Sequence, residues 1–468
     1  MKIEQIYTGC LAQGAYYIES NGEVAIIDPL REVQPYVDKA NANHSKIKYI
    51  FETHFHADFV SGHVTLAEKT GAPIVFGPNA NPSFKAHIAT DGEVFQLGKI
   101  TITVLHTPGH TMESACYLLK DENGKDYALF SGDTLFLGDV GRPDLAQKAA
   151  HMTQEKLAGI LFDSLRTKVM TLADEVIVYP AHGAGSAYGK NLSKETIGTI
   201  GEQKKINYAL RADMTKEEFI KEVTDGLLPP PAYFPMNVKM NKEGYENVDD
   251  IIKEAVAYDP KTFELVANET DALILDVRHQ DDFASGHIPR SIFIGIGGNF
   301  APWVGALILD AKQPILLVTP SGKEEETIMR LARVGYDNTL GYLKGGFEAW
   351  KNAGLEYDTV PSVTAKVLEE KIATNAIVFD VRKPGEYEAE HIVDVPSAPL
   401  DFLNEHLAEF PKEEPFYLHC AGGYRSMIAA SIVKARGYDN VINVLGGFDA
   451  IKKTGIKTTN YVCPSTLK

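Results

Sequence analysis

Residues 47–58 read Ile-Lys-Tyr-Ile-Phe-Glu-Thr-His-Phe-His-Ala-Asp, an apolar run that ends in a polar cluster. The run Ile47–Phe51 is typical of a buried strand, because it is short and rich in β-branched and aromatic residues. The cluster places His54, His56 and Asp58 at alternating positions. Side chains spaced in this way in a loop can converge on one point, and neutral imidazoles and carboxylates are ligands for zinc or iron. The stretch therefore predicts a metal site at the end of a strand.

Three other candidate strands of the same region end in a similar way. Each is followed by a His or an Asp beside Gly or Pro, namely His110, Asp133 and His182. The strands predicted here are Ala15–Ile18, Val24–Ile27, Ile47–Phe51, Pro73–Phe76, Ile100–Leu105, Tyr127–Phe130 and Val176–Tyr179. Any one of these polar residues taken alone could serve only to hydrogen-bond turn backbone. The complete set at strand ends indicates an α/β sandwich with its site along one edge.

This set of residues resembles the metallo-β-lactamase superfamily, and its persulfide dioxygenase branch more than its hydrolases. The resemblance covers roughly residues 1–240. It implies an N-terminal αββα sandwich with one Fe(II) per chain, held by His54, His110 and Asp133 in a two-His, one-carboxylate arrangement. The residues that would orient these ligands or a bound water are His56, Asp58 and His182.

Two further positions bear on this resemblance. Hydrolases related to glyoxalase II carry an additional His directly after the Asp of the motif, where this chain has Phe59, which cannot ligate a second metal. The segment around Arg142 resembles the family segment that contacts substrate, and a guanidinium suits a carboxylate on a glutathione-like carrier. An ion pair of Arg142 with Asp139 or Asp144 is the alternative interpretation.

Beyond residue 231 the sequence repeats itself. Residues 227–231 read Leu-Leu-Pro-Pro-Pro and predict a linker, because consecutive prolines cannot continue a helix or a central strand. Asp276-Val277-Arg278 recurs as Asp380-Val381-Arg382, and Gly345-Gly346-Phe347 recurs as Gly446-Gly447-Phe448. Two copies of one domain account for these matches. The strands predicted in them, alternating with helical stretches as in a parallel sheet, are Ala272–Leu275, Ile315–Val318, Ala376–Phe379 and Phe416–Leu418.

The second copy contains a cysteine loop between a predicted strand and a predicted helix, Ser426–Ala435. Its sequence is Cys420-Ala421-Gly422-Gly423-Tyr424-Arg425. Backbone N–H groups at such a helix N-terminus point at the loop centre and stabilise a thiolate or a persulfide, and Arg425 adds positive charge near an anionic sulfur donor. A buried structural cysteine is the alternative.

The loop resembles that of rhodaneses, in which a Cys is followed five residues later by Arg. The resemblance covers roughly residues 360–460 and, more weakly, 255–355. It implies α/β domains with parallel sheets and makes Cys420 and Arg425 the catalytic residues. The residues that would bind the substrate within the loop are Ala421, Gly422, Gly423 and Tyr424.

The first copy lacks this nucleophile. No cysteine lies between Cys116 and Cys420, and the segment Thr319–Glu324 takes the place of the loop. This copy therefore cannot carry out cysteine-based sulfur transfer. We expect it to act as a scaffold that packs against the metal domain or a second subunit, with Trp303 and Trp350 as candidate buried anchors.

Length and composition indicate the number of domains and the classes of partner that the chain can bind. The 468 residues predict roughly three domains, and the boundaries expected from the motifs are 1–240, 255–355 and 360–460. The net charge of -17 argues against a nucleic-acid or anionic membrane partner. No apolar run approaches the roughly 20 residues of a membrane span, and the first residues lack a signal-peptide pattern. Four cysteines, of which Cys463 lies near the end without an indicated role, do not form a disulfide framework, and we expect a cytoplasmic location.

Together the two resemblances imply a persulfide dioxygenase fused to a thiosulfate sulfurtransferase. A small thiol persulfide would be oxidised by O2 to sulfite, and sulfane sulfur would pass through a Cys420 persulfide so that thiosulfate is formed or used. Glutathione, coenzyme A, another thiol or inorganic polysulfide can serve as the carrier in this interpretation, and a homo-oligomer is compatible with it. The alternatives are a zinc-dependent, glyoxalase II-like thioester hydrolase with a sulfurtransferase domain, and a sulfur carrier with a vestigial metal domain.

Overall fold

The structure is a computed structural model that describes residues 1–147, 151–184, 192–227 and 229–462. Leu228 of the predicted linker and Cys463 lie outside these residues. The chain divides into two compact units, of which unit 1 comprises residues 1–248 with 332–335 and unit 2 comprises residues 249–331 with 336–468. The prolines 229–231 therefore lie inside unit 1, and the boundary between the units comes later than the predicted linker.

Two six-stranded sheets form the centre of unit 1. The strands of the first sheet, in spatial order, are β1 (Lys2–Thr8), β2 (Gln13–Ser20), β3 (Glu23–Ile27), β4 (Lys46–Phe51), β5 (Ile74–Phe76) and β6 (His87–Ile88). Those of the second sheet are β7 (Val94–Leu97), β8 (Ile100–His106), β9 (Ala115–Lys120), β10 (Asp126–Gly132), β11 (Ile177–Pro180) and β12 (Gly198–Thr199). Consecutive strands are antiparallel from β1 through β3 and from β7 through β10. Consecutive strands from β3 through β6 are parallel, and so is the pair β10–β11.

Helices cover the outer faces of both sheets. They are α1 (Gln34–Ala42), α2 (His63–Thr70), α3 (Gln154–Ser164, continued by the π-helix Leu165–Val169), α4 (Ile200–Ile206), the 3-10 helix Tyr208–Leu210, α5 (Lys216–Thr224) and α6 (Phe234–Glu243). Their starts follow local signals, and α5 begins at a capping box in which the Thr215 side chain accepts from the Glu218 amide while the Glu218 carboxylate accepts from the Thr215 amide.

Alternation of side chains along the strands explains the layers of unit 1. In β2, Tyr16 and Ile18 face the core between the sheets, and Ala15 and Tyr17 face the core beneath α1. The outer face of the second sheet packs on α3 and α5. These layers form an αββα sandwich, and the predicted fold class is confirmed for this part of the chain.

Unit 2 contains two parallel sheets, one for each sequence repeat. The first has the spatial order β13-β17-β16-β14-β15, with β13 (Val256–Tyr258), β14 (Leu273–Asp276), β15 (Ile292–Phe293), β16 (Ile315–Val318) and β17 (Thr339–Leu343). The second has the order β18-β21-β20-β19, with β18 (Ser362–Thr364), β19 (Ile377–Asp380), β20 (Phe416–His419) and β21 (Val441–Leu445). Neighbouring strands are parallel throughout both sheets, as predicted.

Helices connect these parallel strands. Those around the first sheet are α7 (Val248–Glu254), α8 (Pro260–Thr270), α9 (Gln280–Ser285), α10 (Phe300–Leu307), α11 (Glu324–Ala332) and α12 (Gly346–Asn352). Those around the second are α13 (Ala365–Ile372), α14 (Pro384–Ala389), the 3-10 helix Leu400–Phe402, α15 (Leu403–His406), the 3-10 helix Leu407–Glu409, α16 (Tyr424–Ala435) and α17 (Gly447–Ile451). Within the described ranges, no helix has the length and apolar character that a bilayer span requires.

The Asp-Val-Arg motif of each repeat forms a buried ion pair. In the first repeat, the Arg278 guanidinium donates to Asp276 through Nε at 3.0 Å and Nη2 at 2.6 Å. In the second repeat, the Arg382 guanidinium donates to Asp380 at the same two distances. A charge is retained in the interior only when it is paired in this way. The repeated motif is therefore a structural element of both copies.

The first repeat packs against the second within unit 2. The backbone N–H of Phe293 donates to Ser431 Oγ at 3.0 Å, and the Tyr424 hydroxyl donates to the Gly295 carbonyl at 2.7 Å. Trp350, a candidate anchor, lies instead in the core of its own repeat. The contact between the two repeats is made by residues 293–295 of the first repeat.

Gly298 lies in that segment and tests the contact between the repeats. A Cβ at Gly298 would lie 2.4 Å from Cζ of Tyr424, whereas a Cβ at Gly297 would meet nothing within 4 Å. We expect Gly298→Ala to lower the free energy of unfolding of unit 2 by about 1–3 kcal/mol, because the crowded ring must shift. Gly297→Ala is the matched control. Calorimetry of the full chain that finds equal melting temperatures for the two variants would contradict this packing.

Candidate metal centre and cysteine loop

The loop that follows β4 is anchored by Asp28 at the end of the neighbouring strand β3. Asp28 Oδ1 accepts from the Thr53 backbone N–H at 2.8 Å, and Oδ2 accepts from the Thr53 hydroxyl at 2.9 Å. Since that hydroxyl donates to Asp28, it accepts from His54 Nδ1, 3.0 Å away. This chain of hydrogen bonds leaves Nε2 of His54 as the ring nitrogen with a free lone pair.

Asn241 of α6 fixes the rest of this loop. Its Nδ2 donates to the His56 and Phe59 carbonyls, each at 2.8 Å, and its Oδ1 accepts from the Ser61 N–H at 2.8 Å. One buried side chain thus satisfies three backbone groups that no strand or helix pairs. The residues between 54 and 61 are held in place although they form no regular element.

His110 and Asp133 come from the second sheet. Gly109 has φ 139°, and a Cβ there would lie 2.4 Å from the backbone of Leu161, so the loop before His110 approaches α3 as only glycine can. His110 Nδ1 donates to the Arg142 carbonyl at 2.8 Å, which makes Nε2 the ring nitrogen that can ligate a metal. Asp133 follows β10, whose last residue, Gly132, has φ 53°.

The three predicted ligands converge. His54 Nε2 lies 3.7 Å and His110 Nε2 lies 3.4 Å from Asp133 Oδ2, and one donor atom from each residue lies within 4.8 Å of the others. His54 Nε2 and both carboxylate oxygens of Asp133 are buried and have no hydrogen-bond partner among the described residues. A buried carboxylate without donors requires a cation, so this donor set fits a metal ion.

Electrostatics agree with that fit. Burial lowers the pKa of His110 to about 4 and moves the pKa of His54 well below its usual value, so both imidazoles are neutral donors at pH 7. Burial also raises the pKa of Asp133 well above its usual value. A bound cation would favour the ionised form of this carboxylate.

A second set of donors lies beside the first. One donor atom each of His56, Asp58 and His182 also lies within 4.8 Å of the others, and His182 Nε2 is 3.6 Å from both Asp58 Oδ2 and Asp133 Oδ1. The His56 side chain also contacts a carboxylate outside this set, because its Nε2 lies 3.1 Å from Asp28 Oδ1. Phe59 lies against the His56 ring, with centroids 4.4 Å apart. All six predicted residues therefore line one buried site.

The Arg142 side chain is engaged by a carboxylate. Nε and Nη2 donate to the two oxygens of Asp144, each at 2.7 Å, and the side chain is buried. The ion pair that the sequence left as an alternative is therefore formed. Arg142 also contributes through its backbone, because its carbonyl orients His110.

In the cysteine loop, Cys420 directly follows β20 and is buried. Its Sγ accepts from the Gly423 N–H at 3.1 Å, and Gly423 has φ 107°, a conformation that favours glycine. The Cys420 carbonyl accepts from the Phe448 N–H at 2.6 Å. A Cβ at Gly447 would lie 2.3 Å from the same carbonyl, which accounts for this glycine in the second copy of the Gly-Gly-Phe motif.

Arg425 at the end of the loop forms a fork-shaped ion pair with Glu386 of α14. Nη1 donates to Oε2 at 2.5 Å and Nη2 donates to Oε1 at 2.8 Å. Burial by itself would raise the pKa of Glu386, but the hydrogen bonds from Arg425 lower it below its usual value. Glu386 therefore carries a full negative charge at neutral pH, and it was not among the residues singled out from the sequence.

Residues 8–182 match the Metallo-beta-lactamase superfamily, and residues 259–353 and 364–454 each match the Rhodanese-like domain. The solved structure of a metallo-beta-lactamase from Staphylococcus aureus subsp. aureus COL is 31% identical, with a TM-score of 0.64. That comparison covers 74% of this chain and 99% of the other. The chain belongs to the metallo-beta-lactamase superfamily. It also carries two rhodanese-like domains.

Curated relatives of the metallo-beta-lactamase domain include enzymes of two kinds. Human "Persulfide dioxygenase ETHE1, mitochondrial" is 27% identical over 221 residues, which are 47% of this chain and 78% of the relative. The "Hydroxyacylglutathione hydrolase" of Rhizobium johnstonii is 35% identical over 164 residues, which are 34% of this chain and 57% of the relative. For other curated relatives this chain spans 47% of their length. The relatives support an enzyme with a metal site, and the resemblance to persulfide dioxygenases and rhodaneses is confirmed.

Asp28 and Asn241, which hold the ligand loop of the metallo-beta-lactamase site in place, were not predicted from the sequence. Asp28 had a usable signal, because it directly follows the predicted strand Val24–Ile27, as Asp133 follows its own strand. Asn241 had none, because the carbonyls that it binds lie 182 and 185 residues away in the sequence. Both residues hold the ligand loop rather than the metal.

Replacing His54, His110 or Asp133 by Ala should each remove the bound metal from the metallo-beta-lactamase domain. Two donors remain in each variant, and two cannot satisfy a site built for three. Metal content per chain, measured by mass spectrometry after purification, tests this expectation. His87→Ala is the control, because His87 is an exposed histidine on β6. A variant of the three that keeps a full equivalent of metal would remove that residue from the ligand set.

Proposed function

We propose that the chain oxidises a thiol persulfide with O2 to sulfite at one Fe(II), and transfers sulfane sulfur through Cys420. The observation that carries the proposal is the convergence of two imidazoles and one carboxylate, His54, His110 and Asp133, with the oxygens of Asp133 buried and lacking hydrogen-bond donors. Iron held by these three residues would supply the redox chemistry for oxidation of a persulfide by dioxygen. Phe59, where related hydrolases have a His, supports one metal rather than two.

The protein's own groups prepare this site. The Thr53 hydroxyl and the Arg142 carbonyl hold the two imidazoles in the tautomer that can ligate. His182 lies between the ligand carboxylate of Asp133 and Asp58, and His56 lies beside Asp28. We propose that His56, Asp58 and His182 orient the ligands and a bound water, and that Arg142 lies beside the entry of the thiol carrier.

The proposed net reaction at the metal site consumes water and releases the carrier as its thiol. A persulfide R–S–SH, O2 and H2O give the thiol R–SH, sulfite and two protons. At the second site, the Cys420 persulfide gives its outer sulfur to sulfite, which leaves the Cys420 thiol and thiosulfate. The Gly423 N–H, which donates to Sγ in the structure, stabilises the negative charge on sulfur in either direction of transfer.

The domains have separate roles in this proposal. We assign the oxidation to residues 1–240, the sulfur transfer to residues 360–460 and a supporting role to residues 255–355. The first rhodanese-like domain has Thr319 where the second has Cys420, and Glu324 where the second has Arg425. Its contact with Tyr424 through Gly295 supports the loop of the second domain. Thr319→Cys alone is therefore insufficient for transfer, because the charge at position 324 has the wrong sign.

A zinc-dependent thioester hydrolase is the second candidate, and the donor set His56, Asp58 and His182 favours it. Iron-loaded protein should consume O2 with a thiol persulfide and release one sulfite for each O2, and it should leave a glutathione thioester intact. Zinc-loaded protein should catalyse neither reaction. Two equivalents of zinc with thioester hydrolysis, and no persulfide-dependent O2 uptake with iron, would establish the hydrolase instead.

Cys420→Ser should abolish sulfur transfer and leave persulfide-dependent O2 uptake largely unchanged, because the serine hydroxyl cannot hold a sulfane sulfur. Sulfite should accumulate in place of thiosulfate. Cys10→Ser is the matched control, since Cys10 lies in unit 1 and outside both donor sets. Loss of both activities in a folded Cys420→Ser protein would mean that the two sites work as one.

A further inference from the structure

We propose that Glu386 determines which sulfur donors Cys420 accepts, because it neutralises Arg425. On this view the loop favours a singly charged persulfide over the thiosulfate dianion. The inference rests on the proposed sulfur transfer through Cys420 and names the donor class of that site. Glu386 acts through Arg425 and is a positioning residue rather than a catalytic one.

Glu386 accepts hydrogen bonds from both Nη atoms of the Arg425 guanidinium. Both Nη atoms donate to the two oxygens of Glu386, in the bidentate geometry that gives Arg its strongest carboxylate contacts. The Arg425 side chain is largely buried, with 17% of its surface exposed. An anion that approaches Cys420 therefore meets a guanidinium whose charge is already balanced by a carboxylate a hydrogen bond away.

A second guanidinium near the loop, that of Arg382, is also paired with a carboxylate. Arg382 pairs with Asp380, and its guanidinium lies over the Phe448 ring at 3.8 Å. His419 precedes the cysteine, and burial lowers its pKa, so this imidazole is neutral at pH 7. The residues between Cys420 and Arg425 carry no charge. Both guanidinium groups are thus paired with carboxylates, and the donor to the sulfur in the structure is a backbone N–H group.

The first rhodanese-like domain supplies an internal comparison. It has the same strand, loop and helix, formed by β16, residues 319–323 and α11, but it lacks the cysteine. Asp282 takes the position of Glu386 in the repeat, and Glu324 takes that of Arg425, so two acids stand where the second domain has an ion pair. The domain folds without the pair, whereas its Asp276–Arg278 pair is retained. The Glu386–Arg425 pair therefore accompanies the cysteine rather than the fold.

The transfer step explains why this charge balance selects a donor. The Cys420 thiolate attacks the outer sulfur of the donor, a new S–S bond forms, and the donor's S–S bond breaks with its electron pair leaving on the carrier thiolate or on sulfite. Thiosulfate brings two negative charges to a thiolate, whereas a persulfide anion brings one. Without a free cation the dianion is repelled more strongly, so Glu386 discriminates against it.

Glu386→Gln tests the inference, because glutamine keeps the shape of the side chain and removes its charge. Thiosulfate and the persulfide of 2-mercaptoethanol serve as donors, with sulfur transfer measured as kcat/KM for each. We expect the thiosulfate value to rise about three- to tenfold, since the carboxylate that pairs with Arg425 loses its charge, and the persulfide value to change less. Glu388→Gln is the control, because Glu388 lies on the same helix and is exposed. It should change neither value.

Two further measurements keep the outcome decisive. In an Arg425→Gln background, Glu386→Gln should give no gain for thiosulfate, because no guanidinium is released. In wild-type protein, which needs no substitution, the thiosulfate rate should not fall with rising ionic strength, as it would if a net positive site attracted the dianion. A Glu386→Gln protein with equal or lower thiosulfate activity, or a wild-type rate that falls with salt, overturns the inference. Wild-type protein that transfers sulfur from neither donor would instead refute the proposed function.

Discussion

The carboxylate of Asp28 accepts two hydrogen bonds from Thr53, and the geometry of the metal centre depends on that contact. β3 and β4 are parallel neighbours, so the end of one lies beside the end of the other. The contact places the chain immediately before His54 and, through the Thr53 hydroxyl, fixes which nitrogen of His54 can ligate. Asp28 also approaches His56. One buried acid thus fixes the backbone and the tautomer of His54 through Thr53 and lies beside His56.

The two rhodanese-like domains share residues that stabilise their fold but differ in the residues at the cysteine loop. Both keep the buried Asp-Arg pair and the glycines that follow the last strand of the sheet, and the second keeps the loop contacts to the Cys420 carbonyl as well. The groups that differ are those at the loop itself, where Thr319 and Glu324 stand in place of Cys420 and Arg425. Burial and hydrogen bonding preserve the frame independently of the reaction, since an unpaired charge in the interior would unfold it. The nucleophile is under no such packing constraint.

Much of this architecture could be predicted from the sequence because its signals are local. The strand Ile315–Val318 has the predicted bounds, and the six residues predicted from strand ends for a metal site lie in two adjacent sets of candidate donors. Two-residue strands such as His87–Ile88 were missed, because both residues are exposed and carry no apolar pattern. Asn241 and Glu386 were missed for another reason, since their partners lie far away along the chain. Long-range polar contacts leave no periodic trace in a sequence.

The two candidate sites differ in what their electrostatics require. At the metal centre, the Asp133 carboxylate is buried without hydrogen-bond donors among the described residues, so the site is incomplete until a cation binds. At Cys420, each neighbouring guanidinium already has its carboxylate, so the loop is complete without an ion. A site that needs positive charge can hold an anionic sulfur next to its metal, whereas a balanced site can bind and release sulfur species without trapping them. This contrast agrees with the proposed function, in which one site performs the oxidation and the other transfers sulfur.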